Sequence, residues 1–340
     1  MLTEAGITPQ QRMLIGAYEG LPVLEPTPYL DLFTKGTPWV SETTQLEFDY
    51  KINKNVGADL VTKGSTGKGI ITPNEFKRVK ITPGDIVATD VLTARELELM
   101  QAGNTQIFRV GGQNIQTGTQ LAARKSQYMK NAIAKRKNIM AAQAINGGIV
   151  YNTDSSDYID YGIPTAKTMT YNTSTIFLAE LADKFAEYRK ITGMNQDKTL
   201  IGIDIVKKIL GDTKFQDTMY KLGYTNITKD MSVKEAGLVV GVFLGKMLEQ
   251  ADVAFDDKGV DIVNGNVIKM LSTSQLNQGF AAIEVKKTME SAPELWAGDI
   301  WIDIDGGSKM VPVSTIFARC GWFPIIIDPN SIYTVNVTIA

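Results

Sequence analysis

The 340-residue sequence predicts an α+β fold, and three patterns along the chain support this class. An alternation of apolar and polar residues begins at Leu46 and predicts a half-buried strand. The longest helical pattern runs from about 119 to 146, and at ~1.5 Å per residue it corresponds to a helix of roughly 40 Å. Helical and strand patterns then alternate without a fixed repeat. The predicted order is an arm, a long hairpin, a long helix, a compact mixed region and a final strand.

Composition and charge are those of an ordinary folded protein. Apolar residues make up 44% of the chain and charged residues 21%, and the formal net charge is −2. A nearly neutral molecule does not attract nucleic acid over its whole surface. No apolar run approaches the roughly 18 residues of a membrane helix, and the first residues lack a secretory signal pattern. We therefore expect a protein that is made in a cytosol and has no membrane partner.

The chain contains no histidine and a single cysteine, Cys320. The missing histidine excludes Ser-His-Asp and Cys-His nucleophile systems and metal sites with histidine ligands. Cys320 lies in an apolar run beside Trp322 and Phe323, which predicts a small core residue and not a reactive thiol. The sequence therefore predicts no catalytic residue, no cofactor and no metal ligand.

Residues 1–45 have the pattern of an extended arm. Prolines interrupt any helix in this segment, apart from a short helix predicted near Gln10–Tyr18. The arm nevertheless carries four apolar residues close together: Tyr29, Leu30, Leu32 and Phe33. These side chains require a surface to lie on, which belongs either to the same chain or to a neighbour.

The alternation after the arm predicts a hairpin with a long tip. One face of its first strand is apolar: Leu46, Phe48, Tyr50 and Ile52. A return strand follows in the segment EFKRVKIT and ends at Pro83-Gly84. The connecting residues are rich in glycine and hold too few apolar side chains to bury the tip within one chain. A short helix with a capping box (Thr93 and Glu96) and a stop at Gly103 is predicted next.

The long helix has a predicted apolar stripe and ends at Gly147-Gly148. The stripe consists of Leu121, Tyr128, Ala132, Ile139 and Gln143, with Met129, Ile133 and Met140 beside it. After the helix we expect a β-hairpin over 149–172 with a polar tip, and a second amphipathic helix that ends at Gly193. The dipeptide Asn264-Gly265 between two apolar runs predicts a two-residue hairpin. The alternating residues Val335, Val337 and Ile339 predict a closing strand.

Two segments at opposite ends of the chain carry a resemblance to a known family. They read PTPYLDLFTKGTPWVSETTQLEFDY near the start and RCGWFPIIIDPNSIYTVNVTIA at the end. The first has a proline-led apolar cluster before a threonine-rich turn, and the second has an apolar run that ends in Asp328-Pro329 before a β-branched strand. Together they resemble the major capsid protein E family of tailed bacteriophages, which has the Hong Kong 97-type fold.

The resemblance implies a division of the chain into the parts of that fold. These are an N-terminal arm (1–45), an extended hairpin called the E-loop (46–84), a P-domain with the spine helix at about 119–146 and a β-hairpin (85–172), an A-domain (173–322) and a C-terminal strand returning to the P-domain (323–340). It also implies a function. The chain is expected to be a non-enzymatic major capsid protein that self-assembles as pentamers and hexamers into an icosahedral shell around double-stranded DNA.

The partners implied by the resemblance are copies of the chain, a separate scaffolding protein, a portal and a decoration protein. The protein is expected in the virion, after assembly in the host cytoplasm. An encapsulin-like compartment shell is the nearest alternative. A cytosolic enzyme with a Ser-Lys or carboxylate site is a more distant one, because no motif of such an enzyme is present.

Candidate contact residues between subunits follow from the arm, the E-loop and the long helix. They are Tyr29, Leu32, Phe33, Lys63, Lys68, Lys130 and Lys137. The helix lies in a stretch without Asp or Glu between Leu99 and Thr153. Its basic residues are expected to pair with acidic arms of adjacent copies, or alternatively to bind DNA phosphates without sequence preference. A lysine–asparagine cross-link through Lys63 or Lys68 and Asn330 is not favoured.

Overall fold

The computed structural model describes most of the chain, with gaps. The described residues are 15–51 except 17, 25 and 26; 76–92; 115–152; 157–171; 174–217 except 216; 233–251 except 235, 236 and 245; 262–285; 293–306; and 314–339. The predicted short helix from Thr93 to Gly103 and the tip of the E-loop lie outside these residues. Of the helix predicted near Gln10–Tyr18, only the end is described, and Ile15, Gly16, Tyr18 and Glu19 are helical.

The helices with defined bounds are α1 (Pro28–Phe33), α2 (Ile115–Ile145), α3 (Ser174–Thr192) and α4 (Ile203–Gly211). The predicted long helix is confirmed as α2, which begins four residues earlier and ends one residue earlier than expected. The second amphipathic helix is confirmed as α3. It stops at Gly193, whose positive φ of 68° lies in the left-handed region that glycine adopts without strain.

The strands, in chain order, are β1 (Trp39–Val40), β2 (Leu46–Lys51), β3 (Phe76–Ile81), β4 (Ile86–Leu92), β5 (Gly148–Asn152), β6 (Asp157–Asp160), β7 (Lys167–Tyr171), β8 (Lys198–Ile201), β9 (Val233–Lys234), β10 (Gly237–Phe243), β11 (Lys246–Gln250), β12 (Val267–Leu271), β13 (Leu276–Phe280), β14 (Ile283–Val285), β15 (Glu294–Trp296), β16 (Trp301–Gly306), β17 (Ser314–Cys320), β18 (Trp322–Ile326) and β19 (Ile332–Ile339). Together with the helices they confirm the predicted α+β class.

A seven-stranded sheet in the order β7-β19-β12-β8-β11-β10-β9 forms one part of the fold. Its apolar core contains Phe177, Phe185 and Tyr188 of α3 and Ile205 of α4. The predicted closing strand is confirmed as β19, which pairs with β12 on one side and with β7 on the other. The last strand therefore joins β7, in the expected P-domain, to β12, in the expected A-domain.

The larger core surrounds α2. The middle of this helix contributes Met129, Ile133, Met140 and Ile145. Two three-stranded sheets share the core: β1-β13-β18 and β16-β17-β4. Strands β13, β16, β17 and β18 contribute buried residues to this core, whereas Ile283, Val285 and Trp296 of β14 and β15 form a separate small cluster with Trp301. The larger core thus includes residues on both sides of position 322, such as Leu276 and Ile326.

The first predicted hairpin is confirmed at its base. Strands β2 and β3 pair antiparallel with Leu46 opposite Ile81 and Tyr50 opposite Lys77. Leu46, Phe48 and Tyr50 are buried in the core around α2. The alternation therefore has the expected cause, which is one apolar face on the core and one polar face in solvent.

Two predictions about hairpins were wrong in part. The predicted hairpin over 149–172 extends only through β5 and β6, because β7 leaves to pair with β19. The turn at Asn264-Gly265 does not join hairpin strands, because both edges of β12 are taken by β8 and β19.

The predicted stripe of α2 is also wrong at Tyr128, which is 62% exposed, and at Ala132, which is exposed. The neighbouring residues Met129 and Ile133 are buried instead. The buried face is thus centred one residue further along the helix than the sequence pattern indicates.

Lys269 connects the two cores. It is on β12 and only 4% exposed, and its Nζ donates to the carbonyl oxygen of Ile145 at 3.2 Å and to Thr334 Oγ1 at 3.4 Å. The lysine therefore satisfies a carbonyl at the end of α2, where a positive charge is favourable. Burial nevertheless lowers the pKa of Lys269 to about 8, because the charged form is removed from water.

We expect the stability of the unassembled protein to rise between pH 7.5 and 9.5 because of Lys269. The folded-state pKa is below the unfolded value, so the unfolded chain binds more protons in this window and its formation becomes less favourable as the pH rises. The free energy of unfolding should increase by roughly 1–2 kcal/mol relative to Lys269→Met. Denaturant unfolding of both proteins at three pH values measures this difference. An exposed control, Lys190→Met, should follow the wild type, whereas parallel profiles for the wild type and Lys269→Met would contradict the prediction.

Candidate functional site on the long helix

The arm lies on its own chain. Pro28 begins α1, where a proline costs no hydrogen bond, and the six-residue helix packs against α2. Tyr29, Leu32 and Phe33 are 2%, 5% and 0% exposed. The chain's own core covers these side chains, and their expected contact with a neighbouring copy stays a prediction. Of the two surfaces that the sequence left open for them, the structure shows the intramolecular one.

Asn138 of α2 caps the first turn of α1. The residue before the helix, Thr27, makes no side-chain hydrogen bond to the free amides. Asn138 Oδ1 instead accepts hydrogen bonds from the backbone N–H groups of Tyr29 at 2.9 Å and Leu30 at 3.0 Å. A side chain more than 100 residues away thus does the work of an N-cap.

Three more polar side chains of α2 bind the backbone of the arm. Gln127 Nε2 donates to the carbonyl oxygen of Pro22 at 2.6 Å, and Asn131 Oδ1 accepts from the N–H of Leu24 at 3.2 Å. Lys130 Nζ donates to the carbonyl oxygens of three arm residues: Tyr18, Glu19 and Leu21. We call Gln127, Lys130, Asn131 and Asn138 the arm seat. These residues bind backbone atoms of the arm. The arm seat therefore fixes the position of the arm's backbone and does not depend on the identity of its side chains.

Lys130 lies at the end of the short helical turn that contains Tyr18 and Glu19. Its ammonium group lies 5.3 Å from the centre of the Tyr18 ring and against the carbonyls at the end of that turn. Such carbonyls have no partner inside a helix and carry a partial negative charge. Burial lowers the pKa of Lys130 and raises that of the Tyr18 hydroxyl. Lys130 thus contacts the arm of its own chain, and its expected contact with a neighbouring copy stays a prediction.

Lys137 is likewise engaged within the chain. Its Nζ is 2.9 Å from Asp299 Oδ1 and 5.3 Å from the centre of the Phe280 ring, and its side chain is 12% exposed. Burial alone would lower the pKa of Lys137, but the ionised form of Cys320 and the Asp299 carboxylate raise it, and the net pKa lies above its ordinary value. Lys137 therefore remains charged and joins α2 to the loop before β16.

Cys320 is fully buried beside this pair, as the sequence predicted. Burial raises the pKa of its thiol to about 11. The thiol is therefore protonated at neutral pH and shielded from solvent, as expected of a core residue.

A cavity of about 330 Å³ separates part of the arm from α2. It is lined on the arm by Tyr18, Val23 and Leu30, and on the body by Ile133 and Phe280, among others. The arm is thus held by its hydrogen bonds and by the burial of α1, with open space between these two attachments.

Five of the six basic residues of α2 separate into two groups. Lys125 is buried in an ion pair with Asp90 on β4 at 2.9 Å, and Lys130 and Lys137 are engaged as described. Arg124 and Lys135 are exposed, and with Tyr128 and Ala132 they follow one face at helical spacing. We call these four residues the outer stripe. Lys63 and Lys68, also expected at subunit contacts, lie outside the described residues.

Asn138, the residue that sequence reasoning missed, had no local pattern to reveal it. Its partners are 108 and 109 residues away, and an asparagine inside a helical pattern has no distinctive spacing. Across the described ranges, no group of three or more His, Cys, Asp or Glu side chains is placed to hold a metal ion. The same ranges contain no helix that is long and apolar enough to span a membrane.

The family and structural comparisons agree with the fold. The family model for "Phage major capsid protein E" matches residues 14–292. Among solved structures, a prophage capsid protein from Escherichia coli CFT073 is similar over 96% of this chain and 99% of its own, with a TM-score of 0.59 and 13% identity. The capsid of cyanophage P-SCSP1u matches 100% of this chain and 93% of its own, with a TM-score of 0.48 and 12% identity. No curated protein sequence matches.

The match to the family model covers most of the chain, including the arm from residue 14, the base of the E-loop and all of α2. The likeness to the prophage capsid protein extends over nearly the full length of both chains, and it shows that the mixed helix and sheet architecture is the Hong Kong 97-type fold. This chain therefore belongs to the phage major capsid protein E family.

Proposed function

We propose that the chain assembles as pentamers and hexamers into the icosahedral head of a tailed phage, around double-stranded DNA. The family assignment makes it a major capsid protein and a component of the virion. The observation that carries the proposal is the family match together with the fold along nearly the whole chain. Assembly takes place in the host cytoplasm, with a separate scaffolding protein, a portal and a decoration protein as further partners.

The division into an N-terminal arm, E-loop, P-domain, A-domain and C-terminal strand remains part of the proposal. Two cores support a division into two bodies, one around α2 and one around the seven-stranded sheet. The seven-stranded body is the counterpart of the A-domain, and the body around α2 is the counterpart of the P-domain. We extend the P-domain to include β13, β16, β17 and β18, because residues of these strands pack in its core: Phe280, Ile302, Ile316 and Phe323.

We propose that the chain has no catalytic activity of its own. Lys137 and Asp299, which lie beside Cys320, are joined in an ion pair, and the thiol is protonated and fully buried. An activated nucleophile requires the opposite arrangement, which is a lowered pKa and access for a substrate. The structural role of the family supports the same conclusion.

Electron microscopy of the purified protein tests assembly directly. We expect capsomer rings or uniform polyhedral shells, with the scaffolding protein supplied where the chain alone forms only rings. Nucleic acid in shells isolated from infected cells would agree with a phage head, and protein cargo without nucleic acid would agree with an encapsulin-like compartment. Dispersed monomers in the presence of scaffolding protein would contradict the proposal.

Asn138 tests whether the seated arm matters for assembly. Asn138→Ala removes the acceptor of two amide hydrogen bonds. It should weaken the attachment of the arm to α2 by about 1–2 kcal/mol. Hydrogen exchange at the amides of Tyr29 and Leu30 should accelerate, and the yield of shells should fall. Asn138→Asp keeps the acceptor and adds a charge that suits a helix N-terminus, so it should retain both properties. Unchanged exchange in Asn138→Ala would show that the seat does not hold the arm.

The outer stripe separates the two hypotheses for the basic residues. Charge reversal at Lys130 or Lys137 would break contacts within the chain, so Arg124→Glu and Lys135→Glu are the cleaner changes. If the stripe meets acidic segments of adjacent copies, as the sequence favours, shells should fail to form. If it meets packaged DNA, normal shells should contain less DNA. The matched control is Arg189→Glu with Lys190→Glu at the exposed end of α3. Normal assembly and normal DNA content would contradict both hypotheses.

A further inference from the structure

A polar cavity of about 460 Å³ opens between the end of α2 and the seven-stranded sheet. Its lining includes the side chains of Asn146, Asp160, Asn264, Lys269, Thr334 and Asn336. Lys269 is the one cation among the residues that line this cavity, and it is almost fully buried. The amide and hydroxyl groups around it supply hydrogen-bond donors. The cavity therefore has the chemistry of a site for an oxyanion.

Lys269 has no carboxylate partner among the described residues. Its hydrogen bonds go to the Ile145 carbonyl and the Thr334 hydroxyl, both uncharged. Asp160 is the one carboxylate among the residues that line the cavity, and its Oδ1 accepts the backbone N–H of Gly162 at 2.8 Å. No ion pair joins Asp160 to Lys269 in this part of the chain. A buried ammonium group without a counter-ion is costly, and proteins normally pair such a group.

We propose that this cavity receives an Asp or Glu side chain from a second copy of the chain, whose carboxylate pairs with Lys269. The inference rests on the proposed assembly of copies. A neighbouring subunit that covers the open side of the cavity would exclude water and strengthen the pair. The end of α2 and the seven-stranded sheet would then be held together more firmly in the shell than in the free subunit, because both contact the same lysine.

The consequence is that assembly and folding respond to pH in opposite directions. Pairing with a carboxylate favours the charged amine, so contact formation is coupled to proton uptake above the pKa of the free subunit. Assembly should therefore weaken from pH 7.5 to 9.5, while the unassembled protein becomes more stable. The chain has no histidine, so few other groups titrate in this range.

The critical concentration for shell formation, measured by light scattering at pH 7.5, 8.5 and 9.5, tests the proposal. For the wild type we expect it to rise at least threefold across this range. Lys269→Met should raise it roughly tenfold at pH 7.5, a change of about 1.4 kcal/mol, and should remove the pH dependence. The unassembled variant should be no less stable than the wild type at pH 7.5, because replacement removes an unpaired buried charge. Lys190→Met is the exposed control and should match the wild type.

Lys269→Arg keeps the charge throughout the range and should assemble with no dependence on pH. If the critical concentration of this variant or of Lys269→Met rises with pH as that of the wild type does, the proposal is overturned. A large loss of stability in the unassembled Lys269→Met protein would also overturn it, because the lysine would then act within one chain. Wild-type protein that forms no shells at any pH would contradict the proposed function itself.

Shells assembled from a mixture of ¹⁵N-labelled and unlabelled protein identify the source of the carboxylate. A carbodiimide joins an amine to a carboxylate in direct contact, and mass spectrometry of the peptides shows whether Lys269 is linked across copies. Linked peptides that combine the two isotopes support the proposal. Links formed only within one copy would overturn it.

Discussion

Burial of the middle of α2 is the constraint on which the rest of the structure depends. Met129, Ile133, Met140 and the alanines near the end of the helix share one core with the arm, with β4, β5 and β18, and with the base of the first hairpin. Three of these alanines, Ala141, Ala142 and Ala144, are fully buried, and side chains this small let strands approach the helix closely. Segments from the start, the middle and the end of the chain therefore share one support. Loss of that packing would release them together.

Charge on this helix is used mainly for internal attachment. The stretch without acidic residues suggested an electrostatic surface, yet Lys125, Lys130 and Lys137 each bind a group of the same chain. Their partners come from β4, the arm and the loop before β16, which are distant in sequence. A cation on a long flexible side chain reaches carbonyls and carboxylates of several elements, and burial makes each such bond more specific than an exposed ion pair. Among the described side chains of α2, Arg124 and Lys135 of the outer stripe are the basic residues that are exposed to solvent.

Sequence patterns predicted the elements whose cause is local. The alternation at Leu46, the helix stop at Gly193 and the closing strand at Val335 depend on neighbouring residues, and the structure confirms them. The missed features depend on tertiary contacts. The turn at Asn264-Gly265 has the chemistry of a hairpin, but its following strand is internal to a sheet, and sequence does not show which edges are taken. The burial of Tyr29 and the cap from Asn138 likewise join residues more than 100 positions apart, beyond the reach of any periodicity.

The backbone-directed contacts of the arm seat have a consequence for the evolution of this part of the protein. Four side chains of α2 fix the course of residues 18–24 and 27–30 through carbonyl and amide groups, which every amino acid except proline provides in full. Selection on the arm then acts chiefly on the few side chains that enter the core, while the intervening positions are free to drift. Close homologues should preserve the polar row on the helix more faithfully than the residues that it holds.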